Sequence, residues 1–187
     1  MSLIETFQDL VAQVPEFVQP LIVAAAGAVP FIEGEGAAAI GIIGGIPPVV
    51  AAVAGIVGNF VCVAILVLLS SGARDAVVSR HRAKVEAREV VAVGSGSTLE
   101  AAPSTAVTDG SERKAARAAK FQRAFERYGV PGVSLLGPLL LPTHFTATML
   151  AAAGIGKARI LIWQAVAIVG WTTLITLILT GVINAVA

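Results

Sequence analysis

The sequence predicts an all-α integral membrane protein of two inverted halves, each an interfacial amphipathic helix, a re-entrant helical hairpin and a full transmembrane span. Three observations carry that prediction. Hydrophobic residues make up 56% of the 187-residue chain and charged residues only 13%, against a charged share of about 25% in ordinary soluble domains. Two uninterrupted apolar stretches, at 49–69 and 160–184, are long enough to cross a bilayer. Two further apolar stretches, at 17–47 and 129–154, are broken by Pro, Gly and polar residues. Irregular backbone at membrane depth is tolerated only inside protein or beside a water-filled cavity.

Taking the elements in order, residues 2–15 place Leu3, Phe7, Leu10 and Val14 at helical spacing opposite Glu5 and Asp9, the pattern of a helix lying in the membrane interface. Residues 17–47 carry Pro20, Pro30, Gly34, Gly36, Gly44, Gly45, Pro47 and Pro48, with Glu33-Gly34-Glu35-Gly36 in the middle. That punctuation predicts a short helix in, a Glu/Gly tip and a short helix out. The stretch 49–69 reaches about 32 Å at 1.5 Å per residue, roughly the hydrocarbon thickness. Its one strongly polar residue, Asn59, suits either a hydrogen bond to a neighbouring helix or the lining of a path.

From Arg74 to about Val90 a basic helix is expected to continue that span out of the membrane. Residues 93–110 read as a flexible linker rich in Gly, Ser, Thr and Ala. Ser111 is placed to cap a second basic helix running to Tyr128. On it Phe121, Phe125 and Tyr128 recur at helical spacing among Arg117, Lys120 and further basic residues. This aromatic stripe in basic surroundings fits an anionic lipid surface or a docking partner. Nucleic acid is not the expected partner, because the segment is short and hangs between membrane segments. The second broken stretch, 129–154, is interrupted by Pro131, Pro138 and Pro142, with Thr143, His144 and Thr146 at its polar centre. In the last span Thr172, Thr176 and Thr180 recur every four residues, a face for helix packing or for a pathway.

The two halves follow one plan. Glu33 lies sixteen residues before Val49 and His144 sixteen before Ile160, where the two spans begin. The expected units are 1–73, a first membrane half; 74–110, a cytoplasmic basic helix and linker; and 111–187, a second membrane half. Charge sets the orientation. Residues 1–35 hold Glu5, Asp9, Glu16, Glu33 and Glu35 and no Lys or Arg, whereas 74–127 hold eleven Lys/Arg against seven Asp/Glu. Because Lys and Arg favour the cytoplasmic side, both termini are expected outside and the middle inside. If 129–154 enters and leaves from the inside, Lys157 and Arg159 stay there too, and all thirteen basic residues are cytoplasmic. The halves then have inverted topology, as in many secondary transporters.

Cys62 is alone, so neither an intramolecular disulfide nor a Cys-based metal site is expected. The N-terminus lacks a basic n-region, and Glu5 and Asp9 interrupt any apolar h-region, so a cleaved signal peptide is not expected. Arg outnumbers Lys nine to four amid much Ala, Gly and Val, which points to a GC-rich bacterial genome; together with the apolar spans, it makes a multi-pass protein of the bacterial inner membrane the expectation.

Pro30-Phe31-Ile32-Glu33 with its Gly-rich continuation, Gly58-Asn59 in the first span, and Tyr128-Gly129-Val130 leading into Pro138 and Pro142 resemble the small multidrug export family. More distantly they resemble DedA-type membrane proteins with paired re-entrant hairpins. The resemblance covers both membrane halves but not the middle linker. It implies a membrane fold with facing hairpins and a role in export. The chain departs from the family pattern at both tips. Gly34-Glu35-Gly36 stands where an Arg is usual, and Pro-Thr-His-Phe replaces a Pro-Leu-Pro-Gly tip.

The functional expectation is a small transporter of amphipathic molecules, with Glu33, Glu35, Asn59, Thr143, His144 and Thr146 as candidate substrate or proton-pathway residues. Ionisable residues within membrane segments are functional candidates by default; the structural alternative is carboxylates that hold helix N-termini in a water-filled vestibule. Two other expectations stand beside it. One is a non-catalytic accessory subunit of a larger membrane transport complex, such as a cell-envelope lipid importer. The other is a DedA-like lipid scramblase. Two spans and two half-crossings enclose little volume, so a homo-oligomer or a larger assembly is expected. No enzyme is expected, since the chain lacks a Ser/His/Asp or Cys/His arrangement and a phosphate-cradling loop. Neither a cofactor nor a metal is expected.

Overall fold

The computed structural model describes the backbone of residues 2–92 and 129–186, and side chains in 2–81 and 129–186. All regular structure there is helical. The order is α1 (Leu3–Gln13), α2 (Gln19–Gly27), α3 (Glu33–Ile43), α4 (Pro48–Ala92), α5 (Gly129–Leu139, its last turn Gly137–Leu139 a 3₁₀ turn), α6 (Thr143–Ala152) and α7 (Lys157–Val186). The expected linker at 93–110 and the basic aromatic helix at 111–128 lie outside the described residues.

α1 begins with a capping box. Ser2 Oγ accepts from Glu5 N–H at 3.2 Å, and Glu5 Oε2 accepts from Ser2 N–H at 2.7 Å, which satisfies two donors that a helix start leaves free. Its inward face is not the stripe expected from the sequence. Val11 is buried and Phe7 packs on the core beside it, whereas Leu3 and Leu10 are exposed. Val11 fits against the turn after α3, where any side chain at Gly44 would strike it.

The first hairpin is α2 and α3. The turn between them falls at Ala28–Ile32, and Glu33 is the first residue of α3, so the Glu/Gly segment starts the outgoing helix instead of forming the tip. Acidic residues suit a helix N-terminus, where free N–H groups and the macrodipole favour negative charge. Gly34 is helical because nothing larger fits. A Cβ there would collide with the Thr172 hydroxyl on α7. The hairpin lies on α4 at glycine-sized distances. A side chain at Gly27 would meet the Gly55 carbonyl, one at Gly55 the Gly34 carbonyl, and one at Gly58 the Ala24 backbone. Small residues allow backbones to approach this closely at a helix crossing.

α4 continues without a break from Pro48 through Arg74 to Ala92. The composition change at 73–74 is therefore not a break in the backbone, and the expected continuation of the first span is present. α4 and α7 are each long and apolar enough to cross a membrane. In the second hairpin Pro138 ends α5 in a 3₁₀ turn, and α6 restarts after Pro142. Trp171 Nε1–H on α7 donates to the Leu135 carbonyl at 2.8 Å, next to that break.

Two apolar clusters flank the centre. One joins Val11, Val23, Ile40, Ile46 and Ala51, with Leu179 against it. The other joins Val63, Val67, Val133, Leu150, Ile160 and Ile168. Near the second, the Arg74 guanidinium lies over Gly154, whose φ of +83° suits a residue without Cβ, and Lys157 Nζ stands 3.9 Å from Asp75 Oδ2.

Candidate functional site

The turn before α3 is held by the Val29 carbonyl, which accepts from Ile32 N–H at 3.2 Å and Glu33 N–H at 3.1 Å. Phe31 and Glu33 are left-handed, with φ of 73° and 54°. Side chains pay about 1–2 kcal/mol for that conformation, and such residues persist only where surrounding contacts hold them. Here Phe31 is exposed while Glu33 turns inward and is 7% exposed.

The contacts that hold Glu33 come from the other hairpin. Pro142 sits at the N-cap of α6 and has no side-chain group to cap it. Glu33 supplies the cap instead. Its Oε1 accepts from Thr143 N–H at 2.5 Å and Thr143 Oγ1–H at 2.7 Å, and His144 Nδ1 stands 3.3 Å away. The N-termini of α3 and α6 thus converge on one carboxylate. A backbone N–H, a hydroxyl and an imidazole nitrogen all point at it. The Phe31 and Phe145 rings, with centroids 6.3 Å apart, join the same two tips.

Hydrogen-bond capacity fixes further details. Thr143 Oγ1 has one proton and gives it to Glu33, yet Asn59 Oδ1 also lies 3.2 Å from it while Asn59 Nδ2 is buried without a partner. Turning the Asn59 amide over lets Nδ2 donate to Thr143 Oγ1 and resolves both mismatches; amide orientation is assigned from such networks. To donate to an ionised Glu33, His144 must carry its proton on Nδ1. In the neutral ring Nε2 is then an acceptor, buried and without a partner among the described residues. One layer away, Gln164 Nε2 donates to Thr146 Oγ1 at 3.2 Å, and Thr146 Oγ1–H donates to the Thr143 carbonyl at 3.0 Å.

The structure therefore brings Glu33, Asn59, Thr143 and His144 into direct contact, with Thr146 one hydrogen bond removed. Glu35 is half-buried and bonds none of them. Thr172 joins the site's edge through Gly34, with Thr176 below it on the same buried face of α7. Gln164 was missed by sequence reasoning although it is a strongly polar residue inside the last apolar stretch, the same signal that marked Asn59. Ser134, fully buried on α5, gave no comparable signal. The docking candidates Arg117, Lys120, Phe121, Phe125 and Tyr128 lie outside the described residues. Among the described residues no group of three or more His, Cys, Asp or Glu is placed to hold a metal ion.

No protein-family model matches this chain, and neither a curated protein nor a solved structure does.

Proposed function

We propose that the chain is a multi-pass protein of the bacterial inner membrane that moves, or assists the movement of, small amphipathic molecules, with Glu33 as its proton-exchanging group. The membrane reading rests on a distribution opposite to that of a soluble protein. The outer surfaces of α4 and α7 are apolar, with Val53, Val61, Ile65, Ile162, Leu174 and Leu177 exposed. Their inner faces hold the buried polar residues Asn59, Gln164, Thr172 and Thr176. Contiguous apolar surface on this scale marks contact with membrane or protein.

The observation that carries the transport reading is the Glu33 carboxylate, buried where two hairpins meet and held only by donors. When Glu33 takes a proton on its carboxylate, it loses the charge that attracts both helix starts, and Thr143 and His144 lose a charge-assisted acceptor. The junction between the hairpins loosens. When the proton leaves, the junction reforms. Alternating these states couples proton movement to opening of the bundle, in the manner of broken-helix transporters.

Reconstitution into liposomes with an imposed pH gradient tests this. Uptake of ethidium, a fluorescent lipophilic cation, is expected in the wild type and is expected to fall to the protein-free level in Glu33→Gln. Equal uptake by both would overturn the role of Glu33. A second reading, an accessory subunit of a larger transport complex, is favoured by an open apolar groove between α2 and α4, lined by Pro20, Leu21, Val49, Val53 and Val57. It predicts no flux from the purified chain and co-purification of a larger complex in mild detergent.

A further inference from the structure

The buried face of α7 carries polar groups that the Glu33 cluster does not use. The Oγ1 atoms of Thr172, Thr176 and Thr180 are buried and have no hydrogen-bond partner among the described residues. A helical Ser or Thr ordinarily donates to the carbonyl three or four residues back. Elsewhere this chain does so: Thr148 to His144 and Phe145, Ser71 to Val67, and Thr146 to Thr143. The three α7 hydroxyls make no such bond. Buried polar groups without a protein partner are usually met by ordered water.

The spacing suits a chain of water. Four residues of helix rise about 6 Å, and two O–H···O bonds in series span roughly 5.6 Å, so one water fits between each successive pair of hydroxyls. At the inner end, the Thr172 hydroxyl occupies the place a Gly34 side chain would take, one residue from Glu33. All the protein contacts of Glu33 fall on Oε1, which leaves Oε2 without a protein donor among the described residues. At the outer end, Thr180 is half-buried beside Leu179, which packs on the cluster of Val11 and Ile46 next to α1. This end of the bundle is opposite to Lys157 at the start of α7. Toward Lys157 no comparable file forms. Gln164 has buried, apolar Ile160 and Ile168 one turn to either side, and its amide is tied to Thr146.

We infer that Thr172, Thr176 and Thr180 line a single-file hydrated half-channel reaching Glu33 from the α1 end of the bundle. Its cargo is the proton. The lining offers one hydroxyl per turn and no carboxylate, too sparse a set of oxygens to replace the hydration shell of a metal cation. Its use in transport rests on the proposed function; its hydration does not.

Cysteine accessibility tests the hydration directly. In a Cys62→Ala background, Thr172→Cys, Thr176→Cys and Thr180→Cys are exposed to silver ion in nitrate buffer from outside, then denatured and labelled with fluorescent maleimide. Leu177→Cys, 66% exposed on the outer surface of the same helix, is the control. Because thiols react as thiolates, which water stabilises and lipid does not, each threonine position is expected to be protected at least about tenfold faster than the control. The order is Thr180, then Thr176, then Thr172. Protection of Thr172→Cys and Thr176→Cys no faster than the control, or protection from the cytoplasmic side alone, would overturn the inference. Thr176→Val gives a second measure: its pH-gradient-driven ethidium uptake is expected to fall about a hundredfold, the lower end of the effect of a lost proton-transfer group. The two proposals fail separately. Fast protection with unaltered uptake in Glu33→Gln sinks the transport role alone. Slow protection with abolished uptake in Glu33→Gln sinks the half-channel alone.

Discussion

The two hairpins place a polar tip in the centre of the bundle by different physical means. The first, α2 and α3, turns through two left-handed non-glycine residues and is clamped on α4 by glycines that let backbones touch. The second, α5 and α6, is broken by Pro138 and Pro142, with no left-handed residue between them, and is tied down by hydrogen bonds that it donates to Glu33 and accepts from Gln164 and Trp171. The first brings one acceptor and no donor to the centre; the second brings a free helix start, a hydroxyl and an imidazole. The halves share a plan but are complementary in chemistry.

The comparison breaks most sharply at the glycines. A side chain at Gly58 would overlap the Ala24 backbone, which cannot move aside without displacing the whole of α2. Gly58→Leu is expected to cost about 3 kcal/mol or more, at the upper end for overpacking, and to abolish recovery of monodisperse protein in detergent. Gly170→Leu, on the second long helix with open space around it, is expected to change stability by less than about 0.5 kcal/mol. Equal effects would mean that close backbone contact does not distinguish the first half.

Glu33 comes next. Glu33→Ala leaves the Thr143 N–H at the start of α6 uncapped and is expected to cost roughly 2–3 kcal/mol, the worth of hydrogen bonds to a charged group. Glu33→Gln keeps a carbonyl oxygen for that N–H and is expected to recover at least half of the loss in a thermal-unfolding assay. A smaller step is Thr143→Val, which removes the hydroxyl shared by Glu33 and Asn59 while keeping the capped N–H. A loss of about 1–2 kcal/mol is expected, and Asn59→Leu in the same background should add little, because the two residues act through one network. Full additivity, read from the same unfolding curves, would show that Asn59 is satisfied elsewhere.

How much of this was legible in the sequence follows from where the signals lie. Proline and glycine act locally, so the positions of both broken stretches and the uninterrupted run of α4 past Arg74 could be read directly. The exact turn could not. Gly34 and Gly36 look like tip residues, but Gly34 is there because α7 and α4 approach closely, a tertiary reason invisible in the local pattern. The positive φ at Phe31 and Glu33 has no sequence mark either, since neither residue favours that conformation. In α1 the period was readable but the inward side was not: Phe7 and Val11 pack, while Leu3 and Leu10 stay out. At the site, Glu33, Asn59, Thr143 and His144 stood out as polar groups in apolar surroundings. Gln164 carries the same signal in the last apolar stretch. Glu35 carries the same charge as Glu33 but lies a helical step away from the facing tip, and composition alone cannot separate the two.

The smallest expected effect tests how the first tip bears its strain. Phe31 is 81% exposed and left-handed. Phe31→Gly relieves about 1–2 kcal/mol of backbone strain. It also removes the ring contact with Phe145, worth roughly 0.5–1.5 kcal/mol, and frees the unfolded chain, which costs about 0.5–1 kcal/mol. These contributions nearly cancel, so the midpoint of thermal unfolding in detergent should move little. Phe31→Asn separates them, because asparagine tolerates the left-handed region without glycine's freedom in the unfolded state. It is expected to be at least as stable as Phe31→Gly. A loss above about 2 kcal/mol in both variants would show that the Phe31–Phe145 contact, and not the Glu33 cap, holds the two tips together. The first hairpin would then depend on its partner for packing as much as the second depends on it for charge.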